Sequence, residues 1–259
     1  MLSESQRREF DELGLLRLPG AVPSEAARAM QDRVWETMAA KGVRRDDADT
    51  WVPVSGSFFR KTSEAGAFDA MATPAVRQAL DGLFGDAPWQ EPEHWGGPML
   101  TLRNTPEWEI PRGGWHLDGP AGKGCDGRGS PNRVVVFVFL EKTDPGGGGT
   151  VVAAGSHKVI GDLVGQTPDP WNSAEVRKAL LRGEPWFREL LAKEGPADRH
   201  ERLTRPTPSA HGHPLRVIEC TGEAGDVFMT HPWLYHGGAP NARPAPRQML
   251  LQFINRQED

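Results

Sequence analysis

The stretch Gly113-Gly114-Trp115-His116-Leu117-Asp118-Gly119 places a histidine and an aspartate two residues apart. The setting reads as a β-strand, where side chains at i and i+2 share one face, about 6.6 Å apart at ~3.3 Å per residue. An imidazole and a carboxylate so placed can grip one metal ion. A third donor must come from elsewhere, and the best placed is His236, in Trp233-Leu234-Tyr235-His236-Gly237-Gly238. Two histidines and a carboxylate on one face of a metal form the facial triad of non-haem Fe(II) centres, with positions left open. His-x-Asp alone is common and equally describes a polar strand end, so the rest of the chain must decide. His211-Gly212-His213 is a rival pair. Its loop setting and intervening glycine make it the poorer metal site.

Arg247 adds a second kind of chemistry. It follows His236 by eleven residues and opens the run Gln248-Met249-Leu250-Leu251-Gln252-Phe253. With period two, Arg247 shares a face with Met249, Leu251 and Phe253. A guanidinium on an apolar face must be paired, because burying it alone is expensive. A carboxylate is its natural partner, through two parallel hydrogen bonds. That carboxylate belongs either to the protein, as a structural ion pair, or to a ligand; the residues leave both open.

The elements that must position these groups can be read in order. Ser3 caps a helix over 3–13, with Gln6 as its capping-box partner, and Gly14 ends it. Leu15–Leu18 is a short strand. A helix over 23–41 carries Ala27, Met30, Val34, Trp35 and Met38 at helical spacing and closes at Gly42. Residues 43–66 are polar and resist assignment; their Trp51, Phe58 and Phe59 are either core packing or a wall over a pocket. Pro74 opens a helix over 74–84. From 99 the pattern turns to strands: 99–104, the stretch holding His116 and Asp118, and the continuous apolar run Arg133–Leu140, which reads as sheet interior. The glycines of Asp144–Gly149 form a turn, not a phosphate loop, since no Lys-Ser/Thr and no helix follow. Thr150–Ala154 is the next strand. A helical insert over 172–194, capped by Ser173, interrupts the series, and 195–213 reads as loop. Strands resume at 215–219, 226–229, 233–236 and 248–255. The expectation is a mainly β fold with flanking helices, a cupin-like double-sheet jelly roll or double-stranded β-helix. One domain would span 1–259, with 1–98 as helical support and 99–255 as the core.

Composition narrows the function classes. The 259 residues carry a net charge of −5, which gives no basic footprint for nucleic acid. The two cysteines, Cys125 and Cys220, have no Cys-x-x-Cys partners, which excludes a zinc ribbon and points to free thiols in a reducing cytoplasm. The charged N-terminus does not read as a signal peptide, and no apolar run approaches the ~20 residues that span a membrane. A soluble, cytoplasmic protein is expected, without a membrane or nucleic-acid partner. The oligomeric state is open.

Together, His116-x-Asp118, the distal His236 and Arg247 resemble the Fe(II)/2-oxoglutarate-dependent dioxygenases, and within them the phytanoyl-CoA dioxygenase family. Phe10-Asp11-Glu12-Leu13-Gly14 with Leu18-Pro19-Gly20 is similar to that family's N-terminal signature. Gly148-Gly149-Thr150-Val151-Val152-Ala153-Ala154-Gly155-Ser156-His157-Lys158 is similar to its central segment, with Ala154 in place of the usual proline. Gly225-Asp226 and His236-Gly237-Gly238-Ala239-Pro240-Asn241 resemble its C-terminal segment. The resemblance implies that His116, Asp118 and His236 ligate Fe(II) and that Arg247 binds the distal carboxylate of 2-oxoglutarate. It places Asn104 and Thr150 at cosubstrate-contact positions, and His157 and His231 in structural roles. Gly238 stands where several members carry a serine that touches the cosubstrate. The implied reaction consumes O2 and 2-oxoglutarate, releases succinate and CO2, and oxidises a small-molecule substrate. Halogenating relatives replace the carboxylate ligand with a small residue, so Asp118 implies hydroxylation or a related oxidation such as desaturation, epimerisation or ring closure. The other readings are an O2-independent metal cupin, an isomerase or hydrolase, in which Arg247 has no cosubstrate to hold, and a catalytically silent jelly roll. Trp51, Phe58, Phe59, Trp115 and Trp233 hint at an apolar or flat substrate.

Overall fold

The computed structural model describes residues 2–119, 121, 131–165 and 170–257. Cys125 lies outside the described residues. The Ser3 hydroxyl accepts the Gln6 backbone N–H while the Gln6 side chain accepts that of Ser3, so α1 (Glu4–Leu13) starts with the expected capping box. After it come β1 (Leu15–Leu18), α2 (Ser24–Ala39), α3 (Arg60–Glu64), α4 (Pro74–Phe84), β2 (Gly97–Thr101), β3 (Arg133–Phe139) and β4 (Thr150–Ala154). The chain continues through α5 (Ser156–Val164), α6 (Ser173–Gly183), α7 (Pro185–Leu190), α8 (Arg199–Thr204), β5 (Thr207–Pro208), β6 (Pro214–Glu219), β7 (Val227–Thr230), β8 (His236–Gly238) and β9 (Arg247–Asn255).

The strands pair antiparallel in two sheets, ordered β1-β7-β3-β9-β2 and β5-β6-β4-β8. The apolar run in β3 follows from burial on both faces. Val134, Val136 and Val138 pack outward into a core shared with α2 and α4. Val135, Phe137 and Phe139 turn inward and meet Phe228 and Met249 of their own sheet and Val152 of the other. A third cluster covers the outer face of the second sheet, where Val151, Ala153, Leu215 and Val217 pack under α5, α6 and α7. Each such buried side chain contributes about 1.5–3 kcal/mol. Asp226 fastens the N-terminal segment to β7, accepting from the Arg17 guanidinium at 2.7 Å and the Gly20 N–H at 2.9 Å.

Several expectations need correction. His116 and Asp118 do not sit in a strand; His116 makes an isolated bridge to His236. Of the stretch 233–236 only His236 enters a strand, β8, and His231 is buried beside His157 at 5.0 Å between ring centroids. Asn172, not Ser173, caps α6, and it forms a capping box with Glu175. The loop-like 195–213 contains α8 and β5, and α5 opens unannounced within the glycine-serine-histidine segment, at Ser156. Trp51, Phe58 and Phe59 pack in the outer core with α2 and α4, and Trp115 and Trp233 belong to the cluster under α5–α7. None of the five lies in the cluster between the sheets.

Candidate metal centre

The two histidines meet through their backbones. His116 N–H donates to the His236 carbonyl at 2.8 Å, and His236 N–H returns the bond at 3.1 Å. Residues that exchange both bonds stand directly opposite, with side chains on one face. The imidazole centroids are accordingly 4.5 Å apart, although 120 residues separate them in sequence.

Each ring is then fixed by the same device. His116 Nδ1 donates to the Gly114 carbonyl and His236 Nδ1 to the Leu234 carbonyl, both at 2.8 Å and both two residues back. A hydrogen bond at Nδ1 fixes the tautomer and leaves Nε2 as the lone-pair donor. Gly114 makes the first of these possible, because its φ of 78° turns the carbonyl toward the ring, a conformation that favours glycine.

Asp118 completes the set. His116 Nε2 lies 3.6 Å from one carboxylate oxygen and His236 Nε2 lies 3.2 Å from the other. Bonds of about 2.1 Å would put adjacent donors about 3 Å apart, so the spacing suits one first-row ion. Among the described residues this trio is the one acidic and imidazole group whose donors all fall within 4.8 Å of one another. Burial works against the charge on Asp118, but the His116 and His236 imidazoles beside it outweigh burial and hold the carboxyl well below its usual range. The neighbouring Asp118 carboxylate raises His116, with burial opposing it. One Asp118 oxygen lacks a hydrogen-bond partner, the condition expected of a carboxylate shaped for a cation. The His116 side chain is 47 % exposed against 10 % for His236, so the trio opens to solvent on the His116 side.

The supporting shell reaches into other elements. The Ser173 hydroxyl at the start of α6 accepts from Leu117 N–H at 3.1 Å, between the two ligands of that segment. Arg133 Nη1 donates to the Asp118 carbonyl at 3.0 Å.

Arg247 faces the same interior. Met249 two residues on belongs to the cluster between the sheets, while Leu250 packs outward. Arg247 is 4 % exposed and pairs across the ladder with Thr101. Its Nε donates to the Gly148 carbonyl at 2.9 Å, one terminal nitrogen donates to the Thr101 hydroxyl, and the other has no partner. Burial is the sole influence on its basicity, which falls to about 10. Thus the structural ion pair that the sequence left open is absent among the described residues.

The remaining cosubstrate candidates fall differently. Thr150 is buried and alternates with Val152, so its side chain faces the space between the sheets, opposite Gly238. A Cβ added at Gly238 would meet nothing within 4 Å, so open space adjoins His236 on that face. Asn104 is exposed, and its amide oxygen accepts from Asn241 N–H at 2.9 Å. The side chain that touches Arg247 is Thr101, which the sequence did not single out. Asn241 was quoted only as motif; it is fully buried and ties together the Thr101 and Ala245 carbonyls at 2.9 Å each. The signal for Thr101 was positional: it stands opposite Arg247 in the register of two adjacent strands.

A family model for phytanoyl-CoA dioxygenase matches residues 10–249. The chain belongs to the phytanoyl-CoA dioxygenase family. It is a non-haem oxygenase that uses Fe(II), 2-oxoglutarate and O2, as the family does. Among solved structures it is similar to HygX from Streptomyces hygroscopicus, solved with nickel and 2-oxoglutarate bound, at 18% identity and a TM-score of 0.54 over 99% of this chain and 88% of that one. AviO1 from Streptomyces viridochromogenes Tue57 aligns at 19% identity and a TM-score of 0.53, over 97% and 93%. SnoN, described as an alpha ketoglutarate dependent epimerase from nogalamycin biosynthesis, aligns at 13% and 0.51, over 98% and 82%. Among curated proteins, no sequence matches.

Proposed function

We propose that His116, Asp118 and His236 hold the Fe(II), that Arg247 takes the distal carboxylate of 2-oxoglutarate, and that the enzyme hydroxylates, or otherwise oxidises, a small-molecule metabolite. Succinate and CO2 leave as co-products. The observation that carries this reading is the Arg247 guanidinium: buried, without an acidic partner among the described residues, and with one nitrogen unsatisfied. Leaving it so is costly, and a ligand carboxylate supplies the missing acceptor. An O2-independent cupin would leave this charge without a use.

Bound iron supplies the O2 activation that 2-oxoglutarate decarboxylation drives. The chain's own residues do the rest. Both imidazoles present Nε2 because their Nδ1 protons are committed to backbone carbonyls. Asp118 stays ionised at neutral pH and balances part of the ion's charge. Thr101 and the Gly148 carbonyl hold the guanidinium still, while Thr150 offers a hydroxyl on the same face. Phe137, Phe139 and Met249 keep the wall between the sheets apolar and exclude water. With Asp118 present as the third ligand, oxygenation rather than halogenation is the favoured outcome.

Two facing antiparallel sheets with this metal placement support a double-stranded β-helix core within one domain spanning 1–259. Among the described residues no helix is long and apolar enough to cross a membrane, which accords with a cytoplasmic enzyme.

The test is an anaerobic optical titration of the apoprotein with Fe(II), then 2-oxoglutarate. A visible metal-to-ligand charge-transfer band is expected, with its formation constant reduced in Arg247→Ala. Tight metal binding with no band would return the assignment to an O2-independent cupin.

A further inference from the structure

We infer that Arg133 anchors the substrate: it binds a carboxylate carried by a small molecule whose apolar body lies against Phe253. The inference rests on the iron and 2-oxoglutarate assignment above and adds a class of substrate to it.

Cross-strand neighbours share a face. Phe253 stands opposite Val135, which lies in the cluster between the sheets, and Arg133 stands opposite Asn255, two residues further along both strands. Arg133 and Phe253 therefore face the same interior as Arg247. Along that face of β9 burial falls away: Arg247 and Met249 are buried, Leu251 is partly buried and Phe253 is 37 % exposed. Six residues at ~3.4 Å each put Phe253 about 20 Å from Arg247. The space between the sheets thus has a buried end, at the arginine assigned to the cosubstrate, and an open end, at Phe253 and Arg133.

At the open end Arg133 is held in place but not neutralised. Its Nε donates to the Asn255 amide oxygen at 2.7 Å and its Nη1 to the Asp118 carbonyl at 3.0 Å. Its central carbon lies 5.5 Å from the Phe253 ring centroid. All these partners are neutral groups, and among the described residues Arg133 makes no ion pair and its Nη2 no hydrogen bond. A Cβ at Gly119 would stand 3.0 Å from Nη1, so the glycine leaves the guanidinium its room. A guanidinium fixed in orientation with N–H groups to spare is preorganised for a carboxylate. Its bond to Asp118 sets that anion beside a metal-ligand residue, on the side where His116 is exposed. Phe253, Leu251 and Met99 offer apolar cover to the rest of the molecule.

The experiment is anaerobic isothermal titration calorimetry on the full chain loaded with Fe(II) and saturating 2-oxoglutarate, so that Arg247 is already occupied. The probes are 3-phenylpropanoate and octanoate, each beside its primary amide, which keeps the shape and removes the charge. The acids should bind about tenfold tighter than the amides. Arg133→Gln should bring acid and amide within about twofold, and Arg133→Lys should restore part of the preference. The charge-transfer band is read on the same samples. A band in wild type and Arg133→Gln alike, with the preference lost only in the variant, is the expected result. Should Arg133→Gln fail to load iron, the same ratio is compared on both metal-free proteins, with far-UV circular dichroism showing the variant folded. The proposal is overturned if neither acid binds, if acid and amide bind alike in the wild type, or if Arg133→Gln keeps the preference, as a residue that only braces Asp118 would. A wild type without the band overturns the iron and cosubstrate assignment, and this inference with it.

Discussion

Arg247 and Thr101 face one another across β2 and β9, and that pairing sets the terms for cosubstrate binding. Removing a partner from a buried charge-assisted hydrogen bond costs about 2–5 kcal/mol, so Arg247→Ala should raise the 2-oxoglutarate KM on the order of 100-fold or more. A 2-oxoglutarate titration of succinate release checks this, and an unchanged KM would remove Arg247 from the site. Thr101→Val deletes one acceptor from the guanidinium and should weaken 2-oxoglutarate about tenfold, at about 1.5 kcal/mol for a hydrogen bond to a charged group. At this scale the sequence was informative where residue chemistry is unusual. His116, Asp118, His236 and Arg247 stood out because an imidazole, a carboxylate or a guanidinium among glycines and apolar residues needs a reason. Thr101 did not, since a threonine near a strand end has many bland explanations, and only the register shows what it touches.

The start of α6 serves both the helix and the metal site. Asn172 accepts from Ala174 and Glu175 N–H groups, while Ser173, relieved of capping, accepts from Leu117. The two residues should therefore separate on mutation. Asn172→Ala should cost about 1 kcal/mol of stability, read by thermal melting, with Fe(II) affinity nearly intact. Ser173→Ala strands the Leu117 N–H at a cost of about 1–3 kcal/mol and should lower Fe(II) affinity, measured by competition with a chelator; equal effects from both would refute the division. Elements with a clear period were legible: α1 and α4 by caps and apolar spacing, β3 by an apolar run too short for a helix. Others gave no such signal. In α5, Ser156, His157 and Gly161 are buried beside Val159, Ile160 and Val164, so polar and small residues share the inner face with the apolar ones. β8 has three residues, too few for alternation to show, and His116 is held by a single bridge that no local pattern encodes.

Across the whole molecule, stability carries the mark of Glu141, which follows β3. Burial pushes its carboxyl up to about 7, against the opposing effects of Gln31 and Arg45. A carboxyl raised in the folded state binds its proton there more tightly than in the unfolded chain. Its stabilising contribution is complete below about pH 4 and is lost as the pH rises through 7, roughly 3 kcal/mol in all. Glu141→Gln should thus melt higher than the wild type at pH 8 and much the same at pH 4; parallel pH profiles for the two proteins would contradict this. The antiparallel two-sheet organisation and its flanking helices were readable in advance, because most strand signals cluster after residue 97 while helix signals gather before it and in one insert. The division of labour between helices was not: those near the N-terminus cover the sheet that bears Arg247, while the insert covers the sheet that bears His236.

The matching carbonyl bonds to His116 Nδ1 and His236 Nδ1 also bear on how quickly the centre fills. Both rings are clamped in the binding tautomer by neighbours two residues away, independently of any ion. Uptake then needs no ring flip and no proton shuffle between nitrogens. Stopped-flow mixing of apoprotein with Fe(II) should give a single phase whose rate rises linearly with metal concentration, without the plateau that a slow rearrangement before capture would impose.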